Sequence, residues 1–115
     1  MADEPRDSDP PPQVKVTFYL PVKDNDGRDL SIEIADVEDA CYAAFGAWTF
    51  VGYIRGAWRM RESGARRVDT SAVYSIVVTE NRVADVEEIL RTFKRRTGQE
   101  AIYMEFATRV EIRFL

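Results

Sequence analysis

The sequence contains no histidine and only one cysteine, Cys41, and these shortages exclude several classes of enzyme. Without histidine there can be no Ser-His-Asp or Cys-His catalytic unit and no zinc or iron site with histidine ligands. One cysteine cannot form an internal disulfide, a Cys-x-x-Cys redox pair or a thiolate cage for zinc. A Walker phosphate-binding loop and a Gly-x-Gly-x-x-Gly fingerprint are also absent. We therefore expect neither a metal site nor a bound cofactor.

Long hydrophobic runs are lacking as well. The longest nearly apolar stretch, from Cys41 to Ile54, is shorter than the roughly 20 residues that a membrane-spanning helix needs, and Gly46 and Gly52 interrupt it. The first residues do not follow the basic-then-apolar order of a signal peptide. A single cysteine is typical of proteins in a reducing compartment. These features predict a cytoplasmic protein that has no membrane partner.

The remaining composition is that of a small globular protein. Of 115 residues, 45% are hydrophobic and 11% aromatic, which supports one domain with one core. Residues 1–12 differ, because they are acidic, include Pro10, Pro11 and Pro12, and cannot bury enough apolar surface to offset the entropy of ordering. We predict a disordered acidic, proline-rich tail over residues 1–12 and a single α+β domain over residues 13–115. The alternative for the tail is a charged arm that binds something basic.

Hydrophobic periodicity predicts six strands and two helices. Alternating apolar and polar residues mark strands over 14–20, 30–34, 48–60, 71–79, 102–106 and 110–114. Helical spacing marks one amphipathic helix over 36–45, ended by Gly46, and a second from Val83 that ends at Gly98. Cys41 lies on the apolar stripe of the first helix, so we expect a packed thiol rather than a nucleophile. The order of elements predicts a ferredoxin-like antiparallel sheet with two helices packed on one face and added edge strands.

Charge is distributed unevenly along the chain, whose net charge is −4. Residues 1–39 contain eleven acids and four bases (net −7), and residues 40–115 contain nine acids and twelve bases (net +3). Thirteen of the sixteen bases are arginine, whose planar guanidinium suits bidentate contact with carboxylates and phosphates. Between Gly52 and Arg67, five arginines are opposed by one acid, Glu62, and are interleaved with Tyr53 and Trp58. Aromatic rings beside guanidinium groups commonly hold nucleotide bases.

We therefore predict that the hairpin from Gly52 to Arg67 binds an anionic, nucleotide-like ligand. The alternative is that these arginines form a solvated loop or pair with the acidic first third of the chain. A nucleic acid is not expected as a partner, because the protein is net acidic and has no broad basic face. The candidate ligand-binding residues are Tyr53, Arg55, Trp58, Arg59, Arg61 and Glu100.

Glu100 lies between Gly98, where the second helix is predicted to end, and the start of the next strand. Partial burial there would suit it to act as a general base. The alternative is a structural carboxylate that accepts backbone N–H bonds at the helix–strand junction. No residue is assigned as catalytic. An aromatic series is interpreted as part of the core rather than as a cofactor box: Tyr42, Phe45, Trp48, Phe50 and Tyr53.

Three short motifs carry a family resemblance over about residues 14–112. They are Phe45-Gly46-Ala47-Trp48-Thr49, Gly56-Ala57-Trp58-Arg59 and Gly98-Gln99-Glu100-Ala101-Ile102. This set resembles small uncharacterised bacterial and phage domains with an aromatic-Gly-Gly-x-Thr step, a Gly-x-Trp step and a closing Gly-Gln-Glu step. Ala47 and Trp48 depart from the small-residue step of that family. The resemblance implies a compact α+β domain and transfers no catalytic residue.

Two functional hypotheses follow. In the first, the chain is a non-catalytic binding module, such as a phage or plasmid accessory protein, that captures an anionic small molecule or a protein partner and can form a homodimer. In the second, it is a small cofactor-free dimeric enzyme with a glutamate or tyrosine as acid or base. The absence of histidine favours the binding module, since the usual acid–base residue at neutral pH is missing. A cavity between sheet and helices lined by Glu100 would favour the enzyme, and a filled core beside an exposed arginine hairpin would favour the binding module.

Overall fold

The computed structural model describes residues 11–115. Most of the predicted tail over residues 1–12 therefore lies outside the described residues. Pro11 and Pro12 have no regular secondary structure, and the Pro12 carbonyl accepts a hydrogen bond from the Glu80 backbone N–H at 2.8 Å. Within residues 11–115, no helix is long and apolar enough to cross a membrane.

Four strands and two helices form the fold. The elements are β1 (Gln13–Pro21), α1 (Ser31–Phe45), β2 (Thr49–Arg59), β3 (Arg66–Thr79), α2 (Val83–Thr97) and β4 (Tyr103–Ala107), with a short 3₁₀ turn at Glu80–Arg82 before α2. All strand pairs are antiparallel, and the sheet order is β2-β3-β1-β4. This βαββαβ arrangement is a ferredoxin-like α+β fold, so the predicted fold class is confirmed.

The core lies between one face of the sheet and the two helices. Alternate residues of β1 are buried, and Phe18 and Leu20 lie opposite Tyr74 and Ala72 of β3 on the same face. The helices cover this face with Val37 and Cys41 from α1 and with Val86, Leu90 and Phe93 from α2. Burial raises the pKa of the Cys41 thiol to about 11, as expected of a packed thiol rather than a nucleophile.

Both helices end where the glycine spacing predicts. Gly46 and Gly98 take left-handed conformations, with φ of 76° and 67°, which glycine adopts without steric cost. Their backbone N–H groups donate to the carbonyl oxygens of Tyr42 and Lys94. Each glycine therefore closes its helix with a left-handed cap.

The strand predicted over residues 30–34 is wrong, because Ser31–Phe45 is one continuous helix. Leu30 is fully buried, whereas Ile32 is 71% exposed, so the two do not share a face as they would in a strand. Leu30 instead continues the buried stripe of Val37 and Cys41, and it lies two helical turns before Val37. The Asp29 carboxylate accepts the Ser31 N–H at 2.7 Å, and the Arg28 guanidinium donates to Glu33 at 2.8 Å, which fixes the start of this helix.

The strand predicted over residues 110–114 is not formed either, because β4 ends at Ala107 and is the last strand of the described residues. No strand is added beyond β2 or β4 in the described four-stranded sheet. The interpretation of the aromatic series as core is wrong at four positions, since Tyr42, Trp48, Phe50 and Tyr53 are 66%, 39%, 41% and 69% exposed. Trp48, Phe50 and Tyr53 lie beside or on β2, which is an edge strand, and Tyr42 lies on α1 outside its buried stripe of Val37 and Cys41.

We predict that Leu30→Ala and Ile32→Ala differ sharply in stability. Leu30→Ala should lower the free energy of unfolding by about 2–5 kcal/mol, because it leaves a cavity at a fully buried site. The matched variant Ile32→Ala should stay within about 0.5 kcal/mol of the parent, since its side chain is mostly in water. Urea unfolding monitored by circular dichroism measures both values. Equal losses in the two variants would contradict the helical assignment and favour a strand with both residues on one face.

A candidate ligand-binding cleft on the open face of the sheet

A cleft of about 680 Å³ is lined by residues of the open face of the sheet, the face opposite the helices, and by Lys94 near the end of α2. Residues from β1, β2, β3 and β4 line it, and the loop between α2 and β4 closes one side. The strand register explains this placement: Tyr19 lies opposite Tyr103, and Trp58 lies opposite Arg67. Side chains at these positions point away from Phe18 and Leu20, which face the core.

Three aromatic rings contribute to the cleft. The rings of Tyr19 and Tyr103 lie next to each other, with centroids 4.5 Å apart. Trp58 lines the cleft from β2 and is 40% exposed, so part of its ring is open to a ligand. A side chain at Gly56 would place its Cβ 3.1 Å from the Trp58 ring, so this glycine lets the indole lie close against the strand.

The charged residues of the cleft have both signs. Arg67 donates to Asp69 at 3.1 Å, and Arg61 lies 4.0 Å from the Glu100 carboxylate. Arg59 and Lys94 also line the cleft. A cleft with both signs of charge suits a ligand that carries both positive and negative groups better than it suits a polyanion, which Asp69 and Glu100 would repel.

Tyr103 is held in its neutral form within this cleft. Its hydroxyl donates to the Glu105 carboxylate at 2.8 Å, and this hydrogen bond raises the pKa of the phenol. The Tyr103 ring is tilted by 30° from the ring of Tyr19, and both rings line the cleft.

The structure brings together four of the six residues that the sequence singles out. Trp58, Arg59, Arg61 and Glu100 line the cleft. Tyr53 and Arg55 do not line it. Their partners on β3 are Ala72 and Thr70, so they lie on the helix side of the sheet, whereas Arg59 shares that side but belongs to the last pair of the hairpin, beside the turn. That all six residues bind a ligand stays a prediction.

Glu100 is neither fully buried nor fully exposed. Its side chain is 47% exposed at the rim of the cleft, and the nearby charge is the guanidinium of Arg61. Partial exposure leaves the carboxylate accessible to a ligand. The space between sheet and helices, in contrast, is filled by the core, so Glu100 lines an open cleft and not an internal cavity.

The arginine hairpin is present, and its charges are only partly neutralised. β2 and β3 pair from Thr49 to Arg59 and from Arg66 to Ser75, with the turn between Met60 and Ala65. Arg61 and Arg67 have the acidic neighbours described above. Among residues 11–115, no carboxylate lies within 4.0 Å of Arg55, Arg59 or Arg66. The interpretation that the first third of the chain neutralises this cluster therefore has no support within the described residues.

Several lining residues were not among the six candidates that the sequence singles out: Tyr19, Arg67, Asp69, Ser71, Gln99 and Tyr103. Tyr19 and Tyr103 occupy the polar positions of two alternating strands and carry no motif. Only the antiparallel register, in which Tyr19 lies opposite Tyr103, brings them together. Within residues 11–115, no group of three or more Cys, Asp or Glu side chains is placed to hold a metal ion.

No protein-family model and no curated protein matches this chain. Solved structures do match in fold. A phage SAM lyase in complex with S-methyl-5'-thioadenosine has a TM-score of 0.66 at 18% identity, covering 95% of this chain and 88% of that one. A phage SAM lyase in the apo state has a TM-score of 0.60 at 15% identity, covering 94% and 88%. CutA from Synechococcus elongatus PCC7942 has a TM-score of 0.56 at 12% identity, covering 84% and 76%. At these identities the similarity shows the ferredoxin-like fold alone.

Proposed function

We propose that the chain binds an adenosine-type sulfur compound, S-adenosylmethionine or S-methyl-5'-thioadenosine, in the cleft on the open face of the sheet. The observation that carries the proposal is the chemistry of the cleft: exposed aromatic rings lie beside carboxylates and basic groups in one space of about 680 Å³. That volume lies within the roughly 300–1,000 Å³ of typical small-molecule sites. Further support comes from the fold, since a phage protein of the same fold is known in complex with S-methyl-5'-thioadenosine.

Each part of S-adenosylmethionine has a suitable counterpart in the cleft. The adenine ring can stack on Trp58 or on the Tyr19–Tyr103 pair. The positively charged sulfonium and ammonium groups suit the carboxylates of Asp69 and Glu100 and the faces of the aromatic rings. The substrate carboxylate suits a basic side chain of the hairpin, and Arg59 and Arg61 line the cleft. S-adenosylmethionine is thus a nucleoside ligand with mixed charge, whereas S-methyl-5'-thioadenosine is its uncharged adenosine part and would bind through the aromatic rings.

We predict that Trp58→Leu weakens binding of S-methyl-5'-thioadenosine about tenfold or more in isothermal titration calorimetry. The reason is that stacking of a base on an aromatic side chain contributes about 1–3 kcal/mol, and about 1.4 kcal/mol corresponds to a tenfold change.

Trp48→Leu is the matched control, because Trp48 is equally exposed at 39% but packs against Tyr74 and does not line the cleft. It should leave the affinity nearly unchanged. Equal affinities for the parent and Trp58→Leu, or no binding by the parent, would overturn the proposal.

A second candidate function is cleavage of S-adenosylmethionine, and the position of Glu100 favours it. A base removes a proton from the methionine β-carbon, and the electrons of that C–H bond form a double bond between the β- and γ-carbons as the bond between the γ-carbon and sulfur breaks. The electron pair of the broken bond stays on sulfur, which leaves as the neutral thioether S-methyl-5'-thioadenosine and needs no proton from an acid. A histidine-free site can therefore support the reaction, with a carboxylate as the available base. Glu100 lines the cleft with its side chain 47% exposed, which gives a ligand access to the carboxylate. Both hypotheses fit a phage or plasmid accessory protein. Under the binding hypothesis the protein sequesters this methyl donor, and under the enzyme hypothesis it removes it.

If the chain cleaves S-adenosylmethionine, Glu100→Gln should lower the rate at saturating substrate by about 100-fold or more, the usual contribution of a positioned acid or base. Mass spectrometry of released S-methyl-5'-thioadenosine measures the rate. Glu62→Gln is the matched control, since Glu62 lies in the exposed turn of the hairpin and does not line the cleft. Full activity in Glu100→Gln would rule out this role, whereas binding without turnover in the parent would leave the binding module as the function.

A further inference from the structure

The outer edge of β2 is apolar and has no strand beside it. β2 is the first strand in the sheet order, so its outward backbone groups have no partner in the described sheet. Large apolar residues of this strand are exposed, with Val51 at 62%, Tyr53 at 69% and Phe50 at 41%. Natural sheets commonly protect such an edge with charges, proline or a covering element. Over Phe50–Ile54 this edge carries no charged residue and no proline.

Residues 110–115 have a strand-like sequence but pair with no strand in the described structure. Val110, Ile112 and Phe114 alternate with charged residues, which is typical of a strand with one apolar face. The structure instead leaves Phe114 96% exposed and Ile112 41% exposed.

The neighbouring strand explains why this segment stays unpaired in its own chain. The Val110 N–H donates to the Gln13 carbonyl at 3.2 Å, after a bend in which Arg109 has a φ of 62°. Beyond Gln13, β1 is preceded by Pro12 and Pro11, which have no N–H to donate. The pairing therefore stops at Gln13, and residues 111–115 extend past the end of the sheet.

The chain is elongated for its length. Its radius of gyration is 16.6 Å and its extents are 56 × 29 × 27 Å. A compact domain of 100 residues has a radius of gyration of about 13 Å. The hairpin of β2 and β3 adds to the radius of gyration. Beyond Ser71, the last β3 residue that pairs with β1, these two strands continue as a ribbon that begins with Arg55 opposite Thr70 and ends with Arg59 opposite Arg66. Such ribbons are marginally stable on their own.

We propose that residues 110–115 of one copy of this chain add as a strand to the outer edge of β2 in a second copy. The addition pairs the open backbone groups of both segments and brings Ile112 and Phe114 against Phe50 and Tyr53, the exposed apolar residues of the edge. Two different surfaces meet in this contact, so it is heterologous, the class of contact that builds a ring when the rotation between copies closes. None of these residues lines the cleft, and Tyr53, a ligand-binding candidate from the sequence, lies on the helix side of the sheet.

Sedimentation analysis of the 115-residue chain tests the proposal. The parent should be an oligomer at micromolar concentration, and removal of residues 110–115 should give a monomer with unchanged helical circular dichroism. The double variant Ile112→Glu with Phe114→Glu should also be monomeric, because charges on the apolar face oppose burial. The matched control Glu111→Ser with Arg113→Ser removes the ion pair on the opposite face, whose atoms lie 2.8 Å apart, and should remain an oligomer.

Backbone hydrogen exchange locates the contact. The outward-pointing β2 amides over Phe50–Ile54, which do not pair with β3, should exchange about tenfold or more faster in the shortened chain than in the parent, because they lose their partner strand. A monomeric parent would overturn the proposal. So would a shortened chain that still associates, or β2 amides that exchange equally fast in both proteins.

Discussion

The antiparallel pairing of β1 with β3 is the constraint on which the rest of this structure depends. Gln13 lies opposite Thr79 and Pro21 opposite Ser71, so the two strands are in register along the whole of β1. Because side chains alternate between faces, this register directs Phe18 and Leu20 to the helices and Tyr19 to the open face. A shift by one residue would exchange the two sets and expose the core. The hydrophobic core and the candidate ligand cleft are therefore opposite sides of one strand pairing.

The long hairpin of β2 and β3 connects the cleft with the association surface. It is longer than β1, and beyond Pro21 opposite Ser71 it continues as a ribbon of two strands. This extension carries Trp58, Arg59 and Arg61 to the cleft, where the loop after α2 brings Glu100. It also leaves β2 with an open, apolar edge. In a monomer, an exposed apolar edge favours aggregation, whereas in an assembly it can pair with a strand of another copy. We therefore assign the edge of β2 to contact with a second copy of the chain.

Much of the fold is predictable from local patterns, and the errors have physical reasons. β1 and α2 have unambiguous periodicity, and Gly46 and Gly98 correctly mark the helix ends. Leu30, Ile32 and Ile34 alternate as in a strand, but Leu30 also belongs to a helical stripe with Val37 and Cys41, and tertiary burial of that stripe decides for the helix. Residues 110–114 have the alternation of a strand, yet the prolines before β1 provide no backbone donors for its continuation.

The site is less predictable than the fold. Composition and charge identify the arginine hairpin, and hence Trp58, Arg59 and Arg61, because these residues are close in sequence. Tyr19, Asp69 and Tyr103 come from three different strands, and only the register brings them into the cleft.

The indole N–H signals of the two tryptophans give the most direct test of ligand binding in the cleft. On addition of S-methyl-5'-thioadenosine to ¹⁵N-labelled protein, the indole N–H signal of Trp58 and the amides of residues 99–103 should shift, while the indole of Trp48 should not. A shift at Trp48 without one at Trp58, or no shift at either, would contradict the account.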